Sequence, residues 1–244
     1  MSIETHGRWP WAAAALVAPT WGPVLARREA LRRDDAWVAL LGLPILVAHQ
    51  TEEWVRPGGF LPFCNERLLG SDQPTWPLTE RDGFHVNVTV GWTTTILAAV
   101  LWRRSAMPAT IMLWDEAGNA AMHAGMALRE RRYNPGVVTA VGLMGVHAAA
   151  SARALGRSGR LDRGEAIAAS AVGIAMSAGL PLAMKLRMRR ARRRGPLSSG
   201  VRRKLRSGRA RSGGAARAKL GGLARGVGPA HRDQRRASRP VRAL

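Results

Sequence analysis

Cysteine, tyrosine and, over the last quarter of the chain, acidic residues are scarce in this 244-residue sequence. Cys64 is the single cysteine, which excludes an intrachain disulfide framework and a zinc site made of cysteines. The sequence also contains neither the Gly-rich loop of P-loop nucleotide-binding proteins nor a Gly-x-Ser-x-Gly nucleophile motif. It therefore gives no signal for either of those enzyme classes.

The net charge of +22 is distributed very unevenly along the chain. Residues 185–244 contain 21 Lys and Arg and one acid, Asp233, whereas residues 1–184 contain 17 Arg and 15 acids. These counts give net charges of +20 and +2. The basic segment also has no aromatic residue and no sustained apolar period. We therefore predict a disordered Arg-rich tail over 185–244 behind a nearly neutral body.

Long runs without charged residues make up most of the nearly neutral body. Soluble helices carry charge on one face at helical spacing, whereas here the charges gather in short clusters between apolar runs. A helix needs about 20 apolar residues to cross a bilayer. We therefore predict an all-α, multi-pass transmembrane bundle over residues 36–184, with about five helices, at 36–56, 84–102, 105–128, 134–152 and 166–184.

Residues 1–35 form a Trp- and Pro-rich segment whose relation to the membrane stays open. Its apolar part, Trp9–Ala26, contains three tryptophans and three prolines. Tryptophans anchor segments at the membrane interface, and prolines disturb a helix. The segment is therefore either a sixth span or a stretch lying at the membrane surface.

Charges next to the predicted spans indicate orientation and partners. The positive-inside rule places the Arg-rich tail in the cytoplasm and the bundle in the cell membrane, although the loops then left outside also carry Arg. In either orientation, loops 57–83 and 129–133 share one face. We expect the lipid bilayer as the main partner and anionic headgroups as ligands of the tail. Because the tail has no aromatic residue on which bases could stack, we expect no sequence-specific binding of nucleic acid.

The first group of polar residues, His49-Gln-Thr-Glu52-Glu53, ends the earliest of the five predicted spans. Glu52 and Glu53 follow His49 by three and four positions, so one helix face presents an imidazole and a carboxylate. Two acids near a helix C-terminus are electrostatically unfavourable, because the helix dipole is negative there. Arg56 or a divalent metal ion would compensate them. A polar cap at the membrane interface is the simpler interpretation.

A second polar group forms a stripe along the 105–128 span. Asp115, Asn119 and His123 recur every fourth residue, and ionisable groups inside a membrane face a bundle interior, a cavity or a partner charge. Together with the first group, the stripe favours a metal site with nitrogen and oxygen ligands, the alternative being a mutually satisfied polar network. His85 starts its helix on the same face and is a further candidate. His147 is interpreted as a packing or relay residue.

A third motif follows the second group. In Tyr133-Asn134-Pro135-Gly136-Val-Val-Thr139, Asn134 is predicted as the N-cap of the next helix and Pro135 as part of its first turn. Tyr133 suits the membrane interface. A structural role is the main interpretation of this motif, and a role beside the polar groups is the alternative for Tyr133.

Together these motifs resemble those of the HXXEE domain family. His49-Gln-Thr-Glu52-Glu53, followed by Pro57-Gly58-Gly59-Phe60 and Asn65, is similar to the opening signature. Asn119-Ala-Ala-Met-His123 is similar to the NxxxH motif, and the Tyr133–Thr139 segment to YxPGxxT. The resemblance spans roughly residues 36–160 and implies a bacterial integral membrane protein with several helices. It implies no reaction, because the family has no established activity.

Two functions fit these motifs. In the first, the protein is a metal-dependent membrane enzyme, hydrolase-like, in which His49, Glu52 and His123 bind a divalent Zn, Mn or Fe ion. Glu53 would then act as general base, and Asn119 would orient a ligand or polarise a substrate carbonyl. In the alternative, the protein is a small transporter, sensor or structural membrane protein, and the same residues form a buried polar network.

Overall fold

The computed structural model describes residues 7–220, with side chains described over 7–193. The chain divides into two units, Met1–Arg190 and Ala191–Leu244, and the contacts below all lie within the first. No β-strand occurs among the described residues, which confirms the all-α prediction. The long helices are α1 Trp9–Ala26, α2 Gly42–Trp54, α3 Glu80–Leu101, α4 Met107–Glu130, α5 Val137–Ser158 and α6 Arg163–Leu220.

Short helices and wide turns complete this framework. Arg28–Arg33 and Trp37–Leu40 precede α2, and Phe60–Phe63 follows it. Both α3 and α5 contain wider π-helical turns, at His85–Trp92 and Ala140–Gly145. Such turns are frequent at functional sites.

Three of the long helices are apolar and long enough to cross a membrane: α3, α5 and the Arg163–Arg193 part of α6. They correspond to three of the five predicted spans. The other two predicted spans are helical as well, but α2 is short and follows a separate turn at Trp37–Leu40. The α4 helix carries the polar stripe. The groups that lower the apolarity of α2 and α4 are those that form the site described below.

The last helix extends into the predicted tail. α6 continues to Leu220, although disorder is predicted from residue 185 onward. Ala, Arg and Leu are strong helix formers, and in this stretch they outnumber the five glycines and Pro196, which disfavour a helix. Residues 221–244 lie outside the described residues, and disorder there stays a prediction.

Two apolar clusters lie at opposite ends of the first unit. One contains Ala36, Trp102 and Ala154, from the segments before α2, at the end of α3 and near the end of α5. The other contains Leu78 and Met184, with further residues of the segment between α2 and α3. The helices α2 and α4 therefore run between these two ends. Their polar ends, which carry Glu52, Glu53 and His123, lie nearer the second cluster.

Small residues let α6 lie close to α4. Gly173 packs against Ile111 and Trp114, with so little room that an added Cβ would lie 2.6 Å from the Ile111 carbonyl oxygen. One turn further along, Ser177 packs against Gly118. Trp114 Nε1 also donates to Ser170 Oγ at 2.7 Å. Small residues at intervals of four permit this close approach, which is the usual device for helix association in lipid.

Asn65 fixes the connection between α2 and α3. Its Nδ2 atom donates to the carbonyl oxygens of Pro74 and Leu78 at 2.9 Å each, and its Oδ1 atom accepts from the Leu78 amide at 2.8 Å. The side chain is fully buried. The folded segment therefore depends on three hydrogen bonds from one side chain.

We expect Asn65→Ala to destabilise the protein by about 3 kcal/mol, because two buried backbone groups of Leu78 and the part-buried carbonyl of Pro74 lose their partner. Thermal unfolding of the purified protein in detergent would measure the change. Gln73→Ala, at an exposed position of the same segment, is the matched control and should unfold like the wild type. Equal unfolding temperatures for both variants would contradict the assigned role of Asn65.

Candidate metal centre

Two histidines and one glutamate meet between α2 and α4. Glu53 Oε1 lies 3.3 Å from His49 Nε2 and 3.2 Å from His123 Nε2. All three side chains are buried, with exposures of 1% for His49, 4% for Glu53 and 0% for His123. The two imidazole rings meet edge to face, with centroids 5.1 Å apart. One potential ligand atom from each residue lies within 4.8 Å of the others, so the three form one His–Glu–His cluster.

Helical spacing and one glycine assemble the cluster. His49 and Glu53 are four residues apart on α2 and therefore share a face. Gly136, with φ of +96°, lies directly on that face at the start of α5. A Cβ atom there would lie 2.7 Å from Glu53 Cγ and 2.8 Å from Cε1 of each histidine. The third motif thus contributes a residue without a side chain, so that the backbone can cover the cluster closely.

The hydrogen bond at Nδ1 sets the tautomer of His49. His49 Nδ1 lies 2.9 Å from Thr139 Oγ1, and the Thr139 hydroxyl in turn donates to Glu52 Oε2 at 2.5 Å. Because the single hydroxyl proton is used in that bond, the imidazole must donate and Nδ1 carries its hydrogen. In the neutral ring, the lone pair of His49 then lies on Nε2, facing Glu53.

His123 is held in the same tautomer by a different residue. Its Nδ1 atom lies 2.6 Å from Asn134 Oδ1, and Asn134 Nδ2 donates back to the His123 carbonyl oxygen at 3.0 Å. The amide oxygen only accepts, so Nδ1 again carries the hydrogen. His123 Nε2 is buried and has no hydrogen-bond partner among the described residues. It lies at ion-pair distance from Glu53, but in poor geometry for a hydrogen bond.

This donor set fits a divalent metal ion. Histidine ligands of metals characteristically donate their other ring N–H to a carbonyl or another oxygen, which fixes the ring and leaves a nitrogen lone pair for the ion. Zinc–ligand distances of about 2.0–2.1 Å in a tetrahedron imply about 3.3 Å between neighbouring ligand atoms. The carboxylate–imidazole distances of 3.3 and 3.2 Å match that spacing.

Glu52 points away from the cluster and binds the start of α5. Its Oε1 atom accepts from Tyr133 Oη at 2.9 Å and from the Val138 amide at 3.1 Å. Its Oε2 atom accepts from the Thr139 amide at 2.7 Å and from the Thr139 hydroxyl. A carboxylate at a helix N-terminus is stabilised by the free amides and by the helix dipole. Glu52 therefore connects α2 to α5 and, through Thr139, orients His49.

The remaining predicted residues are placed as follows. Asn119 Nδ2 lies 3.0 Å from His49 Nε2, so Asn119 borders the cluster. Asp115 lies one helical turn before Asn119 on α4. His85 is exposed and contacts Arg81 and Thr89 instead of the cluster. His147 pairs with Glu116 at 2.6 Å, away from the cluster.

The third motif has a different role from the one predicted. The helix begins at Val137 with Gly136 as its N-cap, so the predictions of Asn134 as N-cap and Pro135 in the first turn are wrong. Asn134 is instead buried against His123, because its amide satisfies both the imidazole and a backbone carbonyl. Thr139, within the same motif, is the second residue whose contact with a histidine sequence reasoning missed. The signal available for both was their place in this motif.

A cavity of about 540 Å³ opens beside the cluster. Its lining includes Glu52, Arg56, Tyr133 and Thr139. Thr139, whose hydroxyl contacts His49 Nδ1, belongs to this lining, whereas His49, Glu53 and His123 do not. The residues between cavity and cluster are therefore Glu52 and Thr139.

The fold and the site define a helical protein with membrane-compatible helices and a buried His–Glu–His cluster. The family described as "Protein of unknown function with HXXEE motif" matches residues 40–150, which contain the whole cluster and confirm the resemblance seen in the sequence. No curated protein matches the chain, and no solved structure matches it.

We expect Gly136→Ala to destabilise the metal-free protein by about 3 kcal/mol. The added Cβ would strain the left-handed backbone at this position and would overlap the side chains of Glu53, His49 and His123. Thermal unfolding in the presence of a chelator would measure the change. Gly142→Ala is the matched control, since an added Cβ there meets nothing within 4 Å, and a similar loss in both variants would argue against close packing at Gly136.

Tyr133 offers a spectroscopic test of the contact with Glu52. Burial and the hydrogen bond to Glu52 raise the pKa of Tyr133 to about 12. Because Tyr133 is the single tyrosine, absorbance of tyrosinate reports on it alone. Its neutral form is favoured in the folded state, so the associated stability is present below about pH 10 and is lost as the pH rises towards 12.

In Glu52→Gln, we expect the titration of Tyr133 to move back towards the ordinary value near pH 10, because the carboxylate that holds the phenolic proton is gone. Folding would be checked by circular dichroism at each pH. Titration of the folded wild type near pH 10 would show that Tyr133 is not bonded to Glu52.

Proposed function

We propose that this protein is a membrane-embedded, metal-dependent enzyme of hydrolytic type in which His49, Glu53 and His123 bind one divalent ion. The observation that supports the proposal is the orientation of the two imidazoles. Their Nδ1 atoms are engaged by Thr139 and Asn134, and both Nε2 atoms lie within 3.3 Å of one carboxylate oxygen of Glu53. His123 Nε2 has no hydrogen-bond partner among the described residues, and a cation between it and the carboxylate would remove the repulsion between its lone pair and that charge.

The number of ligands favours a catalytic site over a structural one. Structural zinc sites use four protein ligands, whereas catalytic sites use three, His₂Glu among them, and keep one position open. Zn, Mn and Fe all accept this nitrogen and oxygen set. When bound, such an ion lowers the pKa of water towards ~7 and so supplies a nucleophile near neutral pH.

The geometry supports exchanged roles for the two adjacent glutamates. Glu53 lies between the histidines and suits a ligand, whereas the two oxygens of Glu52 accept four hydrogen bonds and suit a positioning residue. Asn119 has its amide beside His49 Nε2. From there it can orient a ligand or donate to a substrate oxygen at the open position.

The membrane setting is part of the proposal. Three helices are apolar enough to cross a bilayer, and we place the protein in the cell membrane with its C-terminal tail in the cytoplasm, in contact with anionic headgroups. A substrate that approaches through the cavity beside Glu52 and Tyr133 would reach the cluster only if Glu52 and Thr139, which lie between the two, moved aside. Arg56 in the wall of that cavity favours substrates with an anionic group.

A second candidate follows from the close contacts around Glu53. One protonated histidine could replace the metal ion, because Glu53 lies within 3.3 Å of both Nε2 atoms. The cluster would then be a proton-binding site of a transporter or sensor, or a packing network, and the protein would not be an enzyme. Metal content separates the two candidates.

We expect about one divalent ion per chain in wild type purified in detergent and incubated with Zn²⁺, Mn²⁺ or Fe²⁺, measured by elemental analysis. His49→Ala, His123→Ala and Glu53→Gln each remove one of the three ligands, so metal content should fall at least about tenfold. His85→Gln and Glu66→Gln, at exposed positions, are the matched controls and should retain the ion. Co²⁺ substitution would report the geometry through its visible absorption.

Metal-loaded and metal-free protein would then be compared on a panel of phosphate, ester and amide substrates. Hydrolysis that requires both the ion and Glu53 would support the enzyme. Absence of metal above background in the folded wild type would contradict the metal site. Bound metal without hydrolysis of any substrate class would support the metal site but contradict the proposed hydrolytic reaction.

A further inference from the structure

A second buried polar group lies between α4 and α5, apart from the His–Glu–His cluster. His147 Nδ1 lies 2.6 Å from Glu116 Oε2. Ser151 follows His147 by one helical turn and so shares its face of α5. All three residues are more than nine-tenths buried, with exposures of 3% for Glu116, 5% for His147 and 0% for Ser151.

Each member of this group has a polar atom without a partner. Glu116 Oε1, His147 Nε2 and Ser151 Oγ are buried and make no hydrogen bond to any described residue. Buried polar atoms are almost always satisfied by protein or by ordered water, and the cost of leaving them unsatisfied rises in a membrane. Three such atoms together indicate that a small polar ligand belongs there.

The position of the group along the bundle distinguishes it from the metal site. Glu116 precedes His123 by seven residues on α4, which is about 10 Å along the axis. His147 contacts the Trp37 ring at a centroid distance of 5.9 Å. Trp37 packs against the apolar cluster around Ala36 and Trp102. The group therefore lies towards the end of the bundle opposite to Glu52 and Tyr133.

We propose that Glu116, His147 and Ser151 form a second buried site that binds internal water and carries a proton. A water molecule needs two to four polar partners, and the three unpaired atoms are one carboxylate oxygen, one imidazole nitrogen and one hydroxyl. An ordinary packing contact would need only the bonded pair. This inference does not depend on a metal at the His–Glu–His cluster.

The pairing of Glu116 with His147 allows a balanced proton transfer. When Glu116 is ionised its carboxylate only accepts, so Nδ1 donates to it and the neutral ring has its lone pair on Nε2. A proton delivered through water forms a bond to Nε2, the Nδ1–H bond breaks, and that proton passes to Glu116 Oε2. The pair gains one positive charge, no electrons are transferred, and Ser151 can hold the water that delivers the proton.

Hydrogen exchange of the His147 ring tests the proposal on the full chain. The ring N–H signal would be assigned by its loss in His147→Gln, using ¹⁵N-histidine NMR of wild type in lipid nanodiscs. We expect the ring N–H to exchange with D₂O at least about 100-fold faster than the backbone amides of the buried part of α5, whose exchange needs opening of the helix. Exchange no faster than those amides would show a dry pair and overturn the proposal.

Ser151→Ala provides the second arm, because it removes one partner of the water and should slow ring exchange at least about tenfold. Thr110→Val is the matched control. Thr110 is a buried hydroxyl on α4 that is already bonded to the Ala106 carbonyl oxygen, so exchange at His147 should be unchanged. Equal exchange rates in Ser151→Ala and wild type would overturn the role of Ser151 in binding the water.

Metal content of Glu116→Gln and Ser151→Ala, measured as above, separates this site from the cluster. We expect wild-type metal content in both variants. Loss of metal together with altered exchange would show one continuous site and overturn the proposal of a second one.

Discussion

The buried carboxylate of Glu53 between two imidazoles is the constraint on which the rest of the structure depends. A carboxylate in a low-dielectric interior is stable only beside a compensating charge or strong donors, yet both histidines are held with Nδ1 protonated and Nε2 directed at it. Asn119 Nδ2 lies beside His49 Nε2, whereas His123 Nε2 has no donor among the described residues, so the arrangement suits a metal ion or an extra proton. Each of the three sequence motifs supplies one part of that balance: His49 and Glu53, then His123, then Asn134 and Thr139.

The N-terminus of α5 is the element that organises these parts. Its first amides bind Glu52, its Gly136 covers the cluster, and its Thr139 links Glu52 to His49. Glu52 and Glu53 are adjacent in sequence but have different roles. Glu52 connects α2 to α5, and Glu53 faces the two histidines. The helices α4 and α5 also carry Glu116, His147 and Ser151, so the same helix pair holds a second polar group apart from the cluster.

Helices were predictable from the sequence because charge-free runs and short charged clusters alternate over residues 36–184. The match of residues 40–150 to the HXXEE family model was predictable as well, since the motifs are short and occur in order. The helix to Leu220 shows the limit of this reasoning, and of the five predicted spans three are apolar and long enough to cross a membrane. Polar residues on α2 and α4 lower the apolarity of these helices, and strong helix formers favour a helix in the basic tail. The length of an apolar run predicts neither effect.

The sequence by itself determined the helical class, the resemblance to the HXXEE family, and the residues His49, Glu52, Glu53, Asn119 and His123 as members of one polar centre. Only the tertiary structure decided which glutamate faces the histidines, because positions three and four after His49 lie on nearly the same helix face. The donors of α5 settle it: free amides at its first turn capture Glu52 and leave Glu53 to the imidazoles. Contacts between residues about 90 positions apart, such as His49 with Thr139, are invisible to local spacing because they depend on how the helices meet.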